Sequence, residues 1–253
     1  MQLQPKRGAF MEMFERVDKL KLELDELRPI EQKHMPDIKA FWSIDLAYSS
    51  NALEGNTLTQ SETRVLILDG ITIGGKKVSE VQEAIGHGHA FDFMMEVFKS
   101  GYDLETIKEL HRLFFTGIDP NNAGQYRREN VMITGSDFVP VDHGQVGEAM
   151  SNIISSIKEK CRHPIEEAAR AHLELVHIHP FIDGNGRTAR LLMNLILVKS
   201  GFPIAIIPPI YRGEYITCCQ SFHEGNIQPF NAFLAKVVEQ SLVDYIRMLK
   251  KLK

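Results

Sequence analysis

The sequence predicts an all-α fold with one small β-hairpin. Apolar residues recur at i, i+3 and i+4 along almost all of the 253 residues, beginning with the run from Phe10 to Leu20. This spacing lines one face of a helix. The helical pattern lapses only between Gly117 and Val141, where residues 131–141 have the composition of two short strands joined by a turn at Gly135.

Local start and stop signals give the order of the helices. A first helix ends before Pro29, and a second begins after Pro36 and runs towards Gly55. Further helices are predicted to open at Thr59, at Ser79 with Gln82 completing a capping box, and at Asp103. Later helices are expected at about residues 144–160, 165–178, 187–200, 212–224 and 228–250.

Composition excludes several classes of function. The 29 Lys and Arg against 33 Asp and Glu leave no positive surplus for gripping nucleic acid. The three cysteines fit neither a disulfide framework nor a CxxC metal site, which indicates a reducing compartment. No apolar run has the length of a signal peptide or of a membrane span. We therefore expect a cytoplasmic protein with no nucleic-acid partner and no membrane partner.

The segment Gly184-Asn185-Gly186 falls at the start of a strongly periodic helix. Free backbone N–H groups collect at a helix N-terminus, where the helix dipole also favours an anion. Arg187 and Arg190 oppose that dipole by about a few tenths of a kcal/mol each, so an anion should compensate them. Spaced i, i+3, both can reach the phosphates of one ligand. The alternative is that both arginines pair with acidic side chains.

Two residues before this helix have side chains suited to phosphoryl chemistry. Asp183 offers one hard oxygen ligand, which suits Mg²⁺ that is shared with phosphate oxygens and otherwise hydrated. His179 titrates near working pH and is the candidate general base for an attacking hydroxyl. His177 with His179 forms an H-x-H pair, but this pair without a third ligand is a weak zinc pattern. His172 and His177 are expected to be structural.

The run from His179 to Arg190 resembles the H-P-F-x-[DE]-G-N-G-R-x-x-R signature of Fic domains. This resemblance implies a Fic-type helical bundle and a protein adenylyltransferase, which moves AMP from Mg-bound ATP to a Tyr, Ser or Thr hydroxyl of a protein. It implies that His179 is the base and that Asp183 binds Mg²⁺. It assigns the nucleotide phosphates to Gly184, Asn185, Gly186, Arg187 and Arg190, with Arg190 on the γ-phosphate. Relatives that transfer a phosphoryl group carry an altered G-N-G-R segment, which is intact here.

Two further segments extend the resemblance. Residues 131–140 are similar to the Fic flap, whose backbone aligns a target segment by strand addition. Target docking is thereby assigned to Val131, Met132, Ile133 and Thr134, with Val131 also at the nucleotide. The tail from Tyr215 to Phe230 resembles the segment that helps enclose the base, which assigns Tyr215 and His223 to the nucleotide. This tail departs from the family pattern at Ile216, His223 and Asn226. The preferred nucleobase of the nucleotide is therefore left open.

Residues 50–56 are similar to the [ST]-x-x-x-E-[GN] inhibitory helix of Fic proteins that carry their own inhibitor. If Glu54 pairs with Arg190, the arginine cannot hold the γ-phosphate, and the α-phosphorus is misaligned for attack. Ser50, one turn earlier, is expected to help hold the glutamate. Self-inhibited Fic proteins can also remove AMP from a target, with this glutamate aligning the water. The resemblance therefore implies that Glu54 is a brake, a hydrolytic base or both, and the sequence leaves these roles open. A non-catalytic peptide-docking module, in which the pair never opens, is the other alternative.

The expected domain organisation follows from these motifs. Residues 1–58 form N-terminal helices that include the inhibitory helix, and residues 59–253 form the Fic catalytic core and C-terminal helices. The expected partners are ATP and a protein target with a modifiable hydroxyl, which can be this chain itself. Self-inhibited relatives often form dimers, so a homodimer is also expected.

Overall fold

The computed structural model describes residues 7–133, 138–160 and 163–252. Ten α-helices lie within these ranges: α1 Arg7–Glu26, α2 Met35–Leu53, α3 Gln60–Arg64, α4 Val78–Val97, α5 Leu104–Phe115, α6 Val146–Lys160, α7 Pro164–Ile178, α8 Asn185–Lys199, α9 Arg212–His223 and α10 Gln228–Leu252. No described residue belongs to a β-strand. The predicted all-α fold is therefore confirmed.

Helix α8 lies at the centre of the bundle. It packs most extensively against α7 and also contacts α2, α4 and α5. Every residue from 187 to 197 is buried, as expected for a helix surrounded by other helices. Because α8 is enclosed along its length, its N-terminal end and the loop before it are held in a fixed position by the surrounding helices.

Two of the three predicted helix caps are confirmed. Thr59 begins α3 with a reciprocal capping box to Glu62, and Asp103 begins α5 by accepting a hydrogen bond from the backbone N–H of Thr106 at 2.7 Å. The prediction at Ser79 is wrong, because α4 already begins at Val78. Glu80 accepts hydrogen bonds from the backbone N–H groups of residues 77 and 57, which starts the helix earlier.

The predicted β-hairpin is not seen as paired strands. Residues 131–133 and 138–141 are irregular, and residues 134–137, including Thr134, lie outside the described residues. Side chains rather than a backbone ladder close the base of this segment. Asn130 donates to the Asp142 carboxylate at 2.9 Å and accepts from the backbone N–H of His143 at 2.8 Å. Side-chain hydrogen bonds of this kind compete with regular secondary structure. We call the described residues 129–133 and 138–143 the flap.

The N-terminal helices share the main hydrophobic core. Val17 and Leu24 of α1 are fully buried in the same cluster as Leu242 and Leu249 of α10, and α1 packs along α10. The expected boundary after residue 58 falls in the connection between α2 and α3. Among the described residues, no helix combines the length and the apolar character needed to cross a lipid bilayer.

Candidate active site

The chain makes a tight turn between α7 and α8. Helix α7 ends at Ile178, and His179 caps it in a left-handed conformation with φ 53°, donating its backbone N–H to Leu175 O at 2.9 Å. Among the described residues it is the one non-glycine residue with positive φ. Such a conformation costs roughly 1–3 kcal/mol and concentrates at functional sites.

The hydrogen bonds of the His179 imidazole define its tautomer. Nδ1 lies 3.2 Å from the carbonyl oxygen of Val176. A carbonyl oxygen only accepts, so Nδ1 carries the hydrogen and Nε2 presents a lone pair. Burial, assisted by the nearby Arg127 cation, lowers the pKa of His179 below its usual value. The ring is therefore neutral near pH 7 and able to accept a proton at Nε2.

Asn185 shapes the loop that precedes α8. Its side chain accepts from the backbone N–H of Phe181 and donates to the carbonyl of Phe181, both at 2.9 Å. Gly184 adopts φ 77°, and a Cβ there would lie 3.0 Å from the ring of Phe114. A Cβ at Gly186 would lie 2.5 Å from the carboxylate of Glu54. Both glycines therefore leave space at the helix N-terminus that a side chain would fill, directly beside its backbone amides.

Asp183 presents its carboxylate to solvent while its backbone is held from behind. The side chain is 64% exposed, and the carbonyl oxygen accepts from His111 Nε2 at 3.0 Å. His111 Nδ1 accepts in turn from the backbone N–H of Gly124 at 2.9 Å. The His111 ring also stacks on Phe181 at 3.8 Å, and burial lowers the pKa of His111 to about 4. His111 is therefore a neutral support for the loop.

The donor set at Asp183 fits a metal ion that brings most of its own ligands. No cluster of three or more His, Cys, Asp or Glu suited to a metal occurs among the described residues. A single exposed carboxylate next to an anion-binding helix end matches Mg²⁺, which retains several waters and binds through one or two carboxylates and phosphate oxygens.

Arg190 is fully engaged by three other residues. Its guanidinium donates to Glu54 Oε1 at 2.7 Å, to Ser50 Oγ at 2.9 Å and to the Tyr215 hydroxyl at 3.0 Å. The Arg190 side chain is 2% exposed, whereas that of Glu54 is 37% exposed. The predicted contact between Glu54 and Arg190 is thus present. Ser50 contacts the arginine rather than the glutamate, unlike the expectation, because its hydroxyl and its carbonyl both accept from Arg190.

Glu54 is ionised in this arrangement. Burial favours the neutral acid, but the charges of Arg190 and Arg187 outweigh it and hold the pKa of Glu54 below its usual value. Arg187 itself is paired with Glu83 of α4 at 2.8 Å and lies 3.4 Å from Asp183. Each arginine of the loop therefore has an acidic partner, which matches the alternative that the sequence left open.

The remaining predicted nucleotide-binding residues lie in two places. Tyr215 is buried, and its hydroxyl contacts Arg190 and also His172 Nε2 at 2.9 Å. His223 lies at the end of α9, where its Nδ1 is 3.0 Å from His177 Nδ1 and its ring stacks on Phe138 of the flap at 3.7 Å.

Of the residues assigned to target docking, three are described. Met132 is 92% exposed, and Val131 and Ile133 are partly exposed on the same arm of the flap. These three residues are therefore accessible to solvent, Met132 most of all.

Three residues that support the site were not found from the sequence, namely Glu83, His111 and Arg127. Glu83 and His111 lie on helices far from the loop in sequence, and Arg127 binds carbonyl oxygens, which have no sequence signature. Of the three, only His111 has a position that the sequence could have indicated. It lies four residues after Ile107 and three before Phe114, on the buried face of α5.

Comparisons with known proteins find similar sequences and similar folds. A model of the Fic/DOC family matches residues 101–197. The protein adenylyltransferase Fic of Drosophila grimshawi is 38% identical over 204 residues, which cover 79% of this chain and 42% of that protein. That of Drosophila yakuba is also 38% identical, over 79% of this chain and 41% of its own length. The chain thus spans about two fifths of the length of the curated relatives it matches.

Solved structures show the same fold. Fic-1 from C. elegans has a TM-score of 0.86 and 32% identity, over 97% of this chain and 74% of that one. A Fic domain containing signaling protein from Bacteroides thetaiotaomicron has a TM-score of 0.85 at 24% identity, over 93% and 97% of the two chains, and supports the fold alone.

Proposed function

Because the chain belongs to the Fic/DOC family, we propose that it transfers AMP from Mg-bound ATP to a Tyr, Ser or Thr hydroxyl of a protein. The observation that carries the proposal is the position of His179. Its free Nε2 belongs to the same short loop as Asp183 and the N-terminus of α8. A base, a metal ligand and an anion site in one loop are the parts that nucleotidyl transfer requires.

In the proposed reaction, His179 Nε2 accepts the proton of the target hydroxyl. The hydroxyl oxygen forms a bond to the α-phosphorus of ATP, and the bond from that phosphorus to the bridging oxygen breaks. The electron pair leaves with pyrophosphate. Mg²⁺ held by Asp183 would neutralise charge on the phosphates. The amides of residues 184–186, with Arg187 and Arg190, would hold the phosphates in line for attack.

We propose that Glu54 restrains this reaction. Arg190 cannot hold a γ-phosphate while its donors engage Glu54, Ser50 and Tyr215. The Glu54 carboxylate also lies only 2.5 Å from the position that a Cβ of Gly186 would take, next to the proposed phosphate site. A phosphate at this position would meet the charge of Glu54, so productive binding requires the glutamate to move.

The test uses purified variants of the 253-residue chain, Mg²⁺ and α-labelled ATP, GTP, UTP and CTP. Retained label is measured on the chain itself and on lysate proteins. Glu54→Gly is expected to label at least about tenfold faster than wild type. The double variant Glu54→Gly with His179→Ala should label no protein. Glu224→Gly is a matched control, because Glu224 is likewise a helix C-cap followed by glycine. Absence of label from every variant and nucleotide would refute the transferase proposal.

A second candidate is removal of AMP from a modified protein. The ionised Glu54, held at 2.7 Å by Arg190, is placed to orient a water molecule. A protein labelled by the Glu54→Gly variant would serve as substrate. Wild type should then release AMP and Glu54→Gln should not, whereas equal release would exclude this role. If neither transfer nor removal is measured, a peptide-docking module becomes the better explanation.

We also propose the finer points of organisation. Residues 1–58 would act as the regulatory segment on a catalytic core of residues 59–253, and the protein would act as a homodimer in the cytoplasm. Sedimentation at several concentrations tests the dimer, since a mass near 28.7 kDa at all of them would exclude it. Limited proteolysis and cell fractionation test the other two points.

A further inference from the structure

Arg127 connects the flap to the catalytic loop. It follows the turn after α5, and its side chain is only 4% exposed. Its backbone N–H donates to the carbonyl of Pro180 at 2.8 Å. Its guanidinium Nε donates to the carbonyl of His179, also at 2.8 Å. The two peptide groups that follow the strained turn are therefore both fixed by this one residue.

The other end of the guanidinium holds the flap. Nη1 donates to the carbonyl of Glu129 at 2.9 Å, and Nη2 donates to the carbonyl of Val141. These two residues lie on opposite arms of the flap. Because the guanidinium is planar and rigid, its donors fix the relative positions of all the acceptors. Arg127 thus sets the distance between the base of the flap and the backbone of His179.

We propose that Arg127 is a positioning residue that holds the flap and His179 in register, so that a hydroxyl presented by a flap-bound protein segment arrives at His179 Nε2. This inference rests on the proposed function. Arg127 binds the start of the loop before α8, but its hydrogen bonds reach neither the amides of residues 184–186, nor α8, nor Val131, the flap residue assigned to the nucleotide. Its loss is therefore expected to reduce transfer to protein without reducing ATP affinity.

The charge of Arg127 gives a second readout. The charged or titratable groups near His179 are Arg127, Asp183, Glu54 and His223. The Arg127 cation lowers the pKa of His179, whereas Asp183 and Glu54 raise it. Removing the cation should therefore raise the pKa of His179, so the unprotonated base is lost at a higher pH. The acidic limb of the activity profile then moves to higher pH.

The experiment compares three variants in the Glu54→Gly background. Arg127→Lys keeps the charge but loses the planar fork, and Arg127→Met loses both. Asn130→Ala releases the base of the flap without touching His179, and it covers the case in which Arg127→Met does not fold. Arg247→Met, a 67% exposed arginine on α10, is the matched control. The readouts are ATP affinity by calorimetry, the labelling rate of lysate proteins, and the His179 titration by NMR.

All three variants are expected to lower the protein labelling rate at least about tenfold while ATP affinity stays within about twofold. Only Arg127→Met should raise the pKa of His179. Labelling within about twofold of the parent, or a parallel loss of ATP affinity and labelling, would overturn the inference. A parent that labels nothing would instead overturn the transferase proposal, and the His179 titration would still report whether Arg127 acts on that ring.

Discussion

His111 acts through hydrogen bonds to the backbone rather than through its charge. Its Nδ1 accepts from Gly124 and its Nε2 donates to the carbonyl of Asp183, so both nitrogens are used by one neutral tautomer. Burial lowers the pKa of His111 to about 4, which keeps this tautomer over the physiological range. The ring thereby fixes the carbonyl of Asp183, whereas the carboxylate of Asp183 accepts from the backbone N–H of Gly184 at 2.6 Å and remains mostly exposed.

We predict that His111→Leu weakens Mg-dependent ATP binding about tenfold and destabilises the fold by roughly 2–4 kcal/mol, because two buried backbone groups lose their partners. His111→Gln should recover much of both losses, since an amide also accepts and donates. Calorimetry and denaturant unfolding measure the two effects. Equal behaviour of the Leu and Gln variants would show that the hydrogen bonds do not matter.

The ion pair between Glu54 and Arg190 should make stability depend on pH. The pKa of Glu54 is lowered in the folded protein from a usual value of 4.5. The ion pair therefore contributes to the free energy of unfolding above pH 4.5. This contribution is lost as the pH falls through the lower pKa that Glu54 has in the folded protein. Glu54→Gln should cost about 1–2 kcal/mol near pH 7, discounted for the partial exposure of Glu54. Unfolding measured against pH should show this difference shrinking in acid, and a constant difference would contradict the ion-pair explanation.

At the scale of elements, the C-terminal end of α2 forms the contact with α8. Ser50 and Glu54 lie one turn apart on α2 and both engage Arg190. The end of α2 is also held by Arg212, which donates to the carbonyl of Leu53 at 2.8 Å. The restraint on Arg190 is thus a property of the whole helix end and not of one carboxylate.

We predict that Ser50→Ala, in a chain that keeps Glu54, raises the protein labelling rate about fivefold. The substitution removes a hydrogen bond worth about 1 kcal/mol between α2 and Arg190. Ser49→Ala is the matched control, since Ser49 is the neighbouring buried serine on the same helix. The labelling assay with α-labelled ATP measures both. Equal labelling by the two variants would mean that Ser50 does not contribute to the restraint.

At the scale of the whole molecule, α1 belongs to the same core as α7 and α8, the helices on either side of the candidate active site. Leu24 on α1 is fully buried, whereas Leu22 on the same helix is 66% exposed. Leu24→Ala should lower the free energy of unfolding by about 2–4 kcal/mol, and Leu22→Ala should change it by less than about 0.5 kcal/mol. Thermal unfolding should remain a single transition in both. A separate early transition in Leu24→Ala would show that α1 unfolds independently.

The sequence predicts what repeats or matches a pattern. Helical spacing predicted the helices. The inhibitory and catalytic motifs together predicted the contact between Glu54 and Arg190, which are 136 positions apart in the chain. It could not predict Glu83 beside Arg187, because an acidic residue on α4 has the same local pattern whether it faces solvent or a buried cation. For a related reason, the predicted β-hairpin is not seen as paired strands in the described residues 131–133 and 138–141. Residues 131–141 have strand-forming side chains, but Asn130 and Arg127 take up backbone groups at the base of that segment.

The closed contact at Arg190 also has a consequence for how the protein responds to its cellular surroundings. If the ion pair were the only contact that held the closed form, its strength of about 1–2 kcal/mol would leave the open form in roughly 3–15% of molecules. The hydrogen bonds from Arg190 to Ser50 lower that fraction further. A ligand that binds the closed and open forms equally well shifts no population, however tightly it binds. Only a nucleotide whose γ-phosphate displaces Glu54 from Arg190 favours the open form. ATP bound without that contact would fill the site without switching the protein on. The level of activity would then report what happens to α2, and not the energy supply of the cell.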